Sequence, residues 1–155
     1  INEGNLRYIS GNPLTGSIIP ADGYIGFYDT QVTVLPEGDQ PEFLGWLTPG
    51  LHKFSMSRTF LSWLMPGKEY SLNTNLNGEE RAYVVTGEYE RVMPMDIFPV
   101  HLIKSIIIGD IVQMENLGIY EVAEEDFALC EFVCTSKINV QDIIRQGLDL
   151  VREEC

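Results

Sequence analysis

Positive charge and long apolar runs are both scarce in this chain. Its 155 residues include 10 Lys or Arg against 23 Asp or Glu, for a formal net charge of −13. Such a chain repels phosphate backbones, which counts against nucleic acid as a partner, and it is repelled by an anionic lipid surface. Even the longest unbroken apolar stretches are only a few residues, such as Ile106-Ile107-Ile108. A membrane-spanning helix needs about 20 apolar residues, so direct bilayer insertion is not expected. The basic, apolar and small-residue succession of a signal peptide is missing too.

Reactive residues are equally sparse. The 2 histidines, His52 and His101, lie far apart and form no ligand pair. The 3 cysteines, Cys130, Cys134 and Cys155, are too few and too unevenly spaced for a disulfide framework, which fits a reducing compartment. No Gly-x-x-x-x-Gly-Lys or Gly-x-Gly-x-x-Gly loop is present to cradle a nucleotide phosphate. The Asp-x-Asp-x-Asp-Gly start of a calcium loop is absent, as is the Gly-x-Ser-x-Gly nucleophile elbow. Ser10, Ser17 and Ser57 have no candidate base near them in sequence. The expectation is a chain with no catalytic, cofactor-binding or metal-ligating residues of its own.

With 45% hydrophobic and 21% charged residues the chain is globular, and it is long enough for one domain or two small ones. It begins with Ile1 and its first residues read like the middle of a domain, so a piece of a longer protein is expected. The first ninety or so residues are punctuated by glycines and by Pro13, Pro20, Pro36, Pro41 and Pro49, which favours short strands and loops. Strands are predicted at Leu6–Ser10, Tyr24–Phe27, Gln31–Leu35, Lys53–Ser57, Glu69–Asn73 and Ala82–Thr86, with a hairpin turn at Asn77-Gly78. Thr59–Met65 predicts one helical turn stopped by Pro66-Gly67.

From Pro94 the period becomes helical. A helix is predicted over Pro94–Ile107, its regular part beginning near Pro99 and ending at Gly109-Asp110. Asp110 then caps Ile111–Leu117, and Gly118 stops it. Glu124–Cys134 is a third helix with three acids in its first turn. The fourth follows Asn139 as N-cap, with Val140, Ile143, Ile144, Leu148 and Val151 on one face. The expected architecture is α+β: a β-rich region over residues 1–92, then a C-terminal helical bundle over 93–155.

Four groups of residues invite a functional reading. Cys130 and Cys134, one helical turn apart, are the best metal-ligand candidates, but they lack the third and fourth ligands of a zinc or iron–sulfur site and read as buried packing residues. Glu88 and Glu90 would share a face if their segment were a strand, and one of them suits pairing with Arg91; Arg58 is a second isolated cation. Tyr24, Phe27, Tyr28, Phe43, Trp46, Phe54, Phe60 and Trp63 crowd the first part, where most are expected in a core and a few at a partner surface, with Trp46–Arg58 as a prominent loop. Asp110, Glu115, Glu121, Glu124, Glu125, Asp126 and Glu131 follow one another with no Lys or Arg between Lys104 and Lys137. They read as a solvated acidic face or as a docking surface for a basic partner.

The block Gly87-Glu88-Tyr89-Glu90-Arg91-Val92-Met93-Pro94-Met95-Asp96-Ile97, the pair Gly109-Asp110 and the run Glu124–Cys134 occur in an order and spacing that resembles the C-terminal part of the A subunit of the sodium-translocating NADH:quinone reductase. Glu37-Gly38, Glu42-Phe43-Leu44-Gly45-Trp46 and Phe54–Thr59 extend the resemblance. It implies that residues 1–92 hold the end of a β-grasp module of the soluble-ligand-binding kind (SLBB), with Asn5–Gly16 among its latter strands. It implies a helical bundle like an α-helical ferredoxin module without its clusters, since Cys-x-x-x-Cys replaces Cys-x-x-Cys-x-x-Cys. The family pattern has Pro-Gly-Lys after the second cysteine, where this chain has Thr135-Ser136-Lys137.

The resemblance further implies a non-catalytic part of a subunit peripheral to the bacterial inner membrane, on its cytoplasmic face. Its partners would be the membrane subunits of the same complex, its role assembly and support of a quinone-proximal region, and ubiquinone or menaquinone the substrate of the whole enzyme. No cofactor of its own is implied. The alternative is an independent soluble ligand- or protein-binding module unconnected to respiration.

Overall fold

The computed structural model describes residues 5–38, 42–56, 58–84 and 86–154. The chain divides into two compact units, Ile1–Asn77 and Gly78–Cys155.

The first unit is built on three short strands, β1 (Leu6–Ser10), β2 (Ser17–Ile19) and β3 (Val32–Pro36), in an antiparallel sheet of order β2-β1-β3. Tyr8 stands opposite Ile19 on one side and Val34 on the other. The β1–β2 connection is fixed by Asn12, whose side-chain oxygen accepts from the backbone N–H of Leu14 and Thr15 at 2.8 and 3.0 Å. Gly16 closes it; a Cβ there would lie 2.5 Å from the carbonyl oxygens of both Ser10 and Asn12. At the far end of β1, Arg7 forms a two-pronged ion pair with Glu37, which also accepts from Thr74 Oγ1 at 2.9 Å. Arg7 and Thr74 hold the Glu37 carboxyl below its usual range.

Two predicted strands are present, β3 displaced by one residue from Gln31–Leu35, and β2 was not predicted. Tyr24–Phe27, Lys53–Ser57, Glu69–Asn73 and Ala82–Thr86 form no strand in their described residues; Ser57 and Val85 lie outside them. Asn77-Gly78 therefore joins no hairpin. The chain is α+β as expected, but the described part of its first unit is mostly turn and loop. Strand propensity expresses fit to a pleated, partner-bearing surface, and these segments have no ladder to join. Tyr24–Phe27 instead enters a turn closed by Asp29 N–H to the Gly26 carbonyl. The short helical turn predicted in Thr59–Met65 is there, a 3-10 turn over Leu61–Leu64 followed by Gly67 at φ 84°.

The second unit contains α1 (Pro99–Ile108), α2 (Ile111–Asn116), α3 (Ala128–Val133) and α4 (Val140–Glu154). Gly109 ends α1 at φ 73°, its N–H bonding back to Ile106 and that of Asp110 to Ser105, the arrangement that terminates helices most economically. Asp110 caps α2 through Gln113 N–H at 3.0 Å. The predicted third helix is split: Glu124–Phe127 is a 3-10 segment and only Ala128–Val133 is α. α4 buries Val140, Ile144, Gly147 and Val151, with Ile143 and Leu148 half-buried. Phe127, Leu102, Ile103, Met114 and Ile119 complete a core closed to solvent. The described residues between 78 and 98 carry no regular element, yet Tyr83, Tyr89, Val92 and Met93 pack onto this core.

Candidate functional site

Polar and sulfur chemistry converge inside the second unit. Cys130 on α3 and Cys134 just past its end are one turn apart, 0% and 1% exposed, and both free thiols. Cys130 Sγ lies 3.9 Å from Met93 Sδ and 4.0 Å from the Tyr89 carbonyl oxygen. The rings of Tyr83 and Tyr89 are 5.8 Å apart, and Lys104 Nζ sits 5.9 Å from the Tyr83 ring. The hydroxyls of Tyr83 and Tyr89 are buried and have no hydrogen-bond partner.

Burial pushes the Cys130 thiol up to about 12, helped by the Glu90 carboxylate and by Cys134. Burial also drives the Tyr89 and Tyr83 phenols upward, with Cys134 the next cause for both. At neutral pH Cys130 and both phenols stay protonated, which makes Cys130 an inert nucleophile. The turn after Cys134 is held in place, with Arg81 N–H donating to the Ser136 carbonyl at 2.8 Å and Ser136 Oγ to the Ala82 carbonyl at 3.0 Å. Sequence reasoning found the thiols but not Tyr83 and Met93. Contacts across some forty residues leave no periodic signal.

The acidic run is mostly committed to structure. Asp110 caps α2, Asp126 accepts from Ala123 N–H at 2.8 Å, and Glu131 caps α4 by accepting from Gln141 N–H at 2.9 Å. Glu124 is ion-paired with Arg145. Glu115 accepts from the Tyr120 hydroxyl at 2.7 Å. Glu121 and Glu125 are the exposed carboxylates of the run left outside these roles.

No protein-family profile matches the chain. Curated relatives do. The A subunit of the Na(+)-translocating NADH-quinone reductase of Rhodopirellula baltica is 45% identical over 96% of this chain and 33% of its own length. The protein of the same name from Pasteurella multocida is 46% identical over 99% and 34%, and that from Hahella chejuensis 40% identical over 99% and 35%. Along that shared length the chain belongs to this A-subunit family. It spans about a third of the length of these relatives. The family named from the ordered motifs is therefore the right one.

In this member of the A-subunit family the other predicted site residues stay apart. His52 is exposed with Nδ1 3.1 Å from Lys68 Nζ, while His101 lies exposed on α1 beside Phe98. Ser10 is buried and donates to the Asp29 carboxylate, a partner the sequence reading did not foresee, while accepting from Gly26 N–H at 2.8 Å; Ser17 is exposed, and Ser57 is outside the described residues. Glu88 and Glu90 lie in a turn, not on a strand, and Glu88 takes the pairing with Arg91 at 3.3 Å. Arg58 is exposed and has no ion pair among the described residues.

The aromatics correct an expectation. Tyr24, Phe27, Tyr28 and Phe43 are each more than 90% exposed, because three short strands have too little face to cover them. The segment Trp46–Arg58 is held down: Lys53 bonds the Gly45 carbonyl at 2.8 Å, pairs with Glu42 and lies over Phe60 at 5.5 Å. The side chain of Trp46 is outside the described residues. Among the described residues no cluster of three His, Cys, Asp or Glu is placed to hold a metal ion, and no helix is long and apolar enough to cross a membrane.

Proposed function

We propose that this chain is a non-catalytic segment of the peripheral A subunit of a sodium-translocating NADH:quinone oxidoreductase, serving assembly of the complex and a quinone-proximal region. The observation that carries this reading is 40–46% identity along 96–99% of the chain to relatives of that name. In this reading the segment docks on membrane subunits on the cytoplasmic face of the bacterial inner membrane, without entering the bilayer. The quinone of the whole enzyme is ubiquinone or menaquinone. The segment itself provides no flavin site, no iron–sulfur cluster and no catalytic residue. Residues 1–92 act as the end of a β-grasp, SLBB-like module, and residues 93–155 as a bundle of the α-helical ferredoxin type that has lost its clusters.

Two surfaces support docking. One is the exposed group Tyr24, Phe27, Tyr28 and Phe43, of the residue types that anchor interfaces. The other is Glu121 and Glu125, whose charge suits a basic partner surface. The test uses the full-length protein expressed with its complex. Charge reversal at Glu121 and Glu125, or truncation of Phe27 and Tyr28 to Ala, lowers recovery of assembled enzyme while helix content is kept. Normal assembly and sodium pumping with both surfaces changed would place docking elsewhere and leave this segment as scaffold.

A further inference from the structure

We propose that Cys130, Cys134 and Met93 form a three-sulfur site for Cu(I), with the Tyr89 hydroxyl donating a hydrogen bond to the bound sulfur of Cys134. Three observations carry it. The first is spacing. Metal–thiolate bonds run to about 2.3 Å, so three sulfurs in a plane around one ion stand about 4 Å from one another; Cys130 Sγ and Met93 Sδ are already 3.9 Å apart. Cys134 follows four residues later at the end of α3, buried like Cys130.

The second is the donor set. Two thiolates and a neutral thioether suit a soft ion of low coordination number such as Cu(I). They fall short of the four donors of structural zinc and of the four thiolates of an iron–sulfur cluster. The third is the pair of orphaned hydroxyls. Tyr89 is 3% exposed, and its hydroxyl, like that of Tyr83, meets no partner at full hydrogen-bond geometry, although the Cys134 thiol is near enough to act on it. Buried polar groups in native proteins are nearly always satisfied. A neutral thiol accepts weakly, whereas a metal-bound thiolate accepts well, so binding turns the Cys134 sulfur into a full acceptor for Tyr89.

The reaction is proton exchange without electron transfer. Cu(I) replaces the two thiol protons, which leave to solvent, and the thioether of Met93 joins without losing one. Affinity therefore rises with pH. Entry requires local opening around residues 130–134, which makes uptake slow without weakening it.

The experiment uses the whole chain carrying Cys155→Ser, so that the remaining thiol adds no binding. Cu(I) is supplied anaerobically as its acetonitrile complex and competed with bathocuproine disulfonate. One Cu(I) per chain is expected, with three sulfurs in the metal's X-ray absorption shell. Met93→Leu conserves volume, and it should weaken binding at least tenfold with unchanged helix content; Tyr89→Phe should weaken it several-fold. A parent protein that takes up no Cu(I), a two-sulfur shell, or Met93→Leu binding as tightly as the parent would each overturn the assignment.

Discussion

Gly147 on α4 packs directly against Ile106 of α1, and its replacement gives the sharpest test of the bundle. A Cβ added there would stand 2.7 Å from Ile106 Cγ1, 2.8 Å from Cδ1 and 3.1 Å from Cγ2. Ile106 is 7% exposed, so it has little room to turn away. Two effects oppose each other. Gly→Ala in a helix interior gains about 1 kcal/mol of helix propensity. Forcing a methyl into a packed core costs about 1–3 kcal/mol. Gly147→Ala should therefore be neutral or destabilising by up to about 2 kcal/mol. Ile106→Ala alone should cost about 2–5 kcal/mol, but it removes all three clashing atoms. In that background Gly147→Ala should become stabilising by about 1 kcal/mol, a change of sign that no independent pair of sites produces. The unit can be followed alone, because the α-helices of the described residues lie in Gly78–Cys155 whereas both tryptophans, Trp46 and Trp63, lie before it. Urea unfolding read by far-UV circular dichroism reports the bundle, and tryptophan fluorescence reports the first unit. If Gly147→Ala stabilises both backgrounds equally, the close approach of α1 and α4 is wrong.

Four further outcomes follow. Ile144→Ala, at a position closed to solvent, should cost about 2–5 kcal/mol, whereas Arg145→Ala should lose about 1 kcal/mol or less with its exposed ion pair; equal losses in urea would refute the face of α4. Tyr89→Phe removes a buried hydroxyl with no partner and should raise the stability of the metal-free protein by about 1 kcal/mol; a clear loss would reveal an unseen hydrogen bond. Glu37 is held below its ordinary 4.5, so its contribution is present at neutral pH and lost as pH falls through the folded value. Glu37→Gln should flatten the acid limb of the fluorescence-detected stability profile, and an unchanged limb would remove the Arg7–Glu37–Thr74 network from it. Cys130 and Cys134 should resist a thiol reagent in the native protein and react on unfolding; fast reaction of both in native buffer would show an open site.

Helical order was legible because its signals are local. The apolar spacing of Val140, Ile144 and Val151 needs only one turn of memory, and Gly109-Asp110 combines a stop and a start in two residues. The first unit was less legible because a strand exists only by virtue of a partner. Tyr24–Phe27 and Glu69–Asn73 have strand-forming residues and no neighbour to pair with, while β2, only Ser17–Ile19, is created by β1 beside it. The thiols were visible as a pair, but their surroundings were not: Met93 and Tyr89 reach Cys130 by tertiary packing. The acids were read as one surface, although Asp110 and Asp126 sit at cap positions that sequence rules can recognise. Glu131 bonding Gln141 across ten residues is invisible to such rules.

The gap between Lys104 and Lys137 makes the bundle a small polyelectrolyte. Its capping carboxylates are satisfied by backbone donors, but their charges still repel one another and those of Glu121 and Glu125 within the same unit. Added salt shortens the reach of that repulsion to about 8 Å at 0.15 M, so ionic strength should strengthen the isolated unit. The same screening weakens attraction to a basic partner. Salt should thus act with opposite signs on the free segment and on the docked state proposed for it, so that the proposed assembly should loosen under conditions that make its acidic piece more robust.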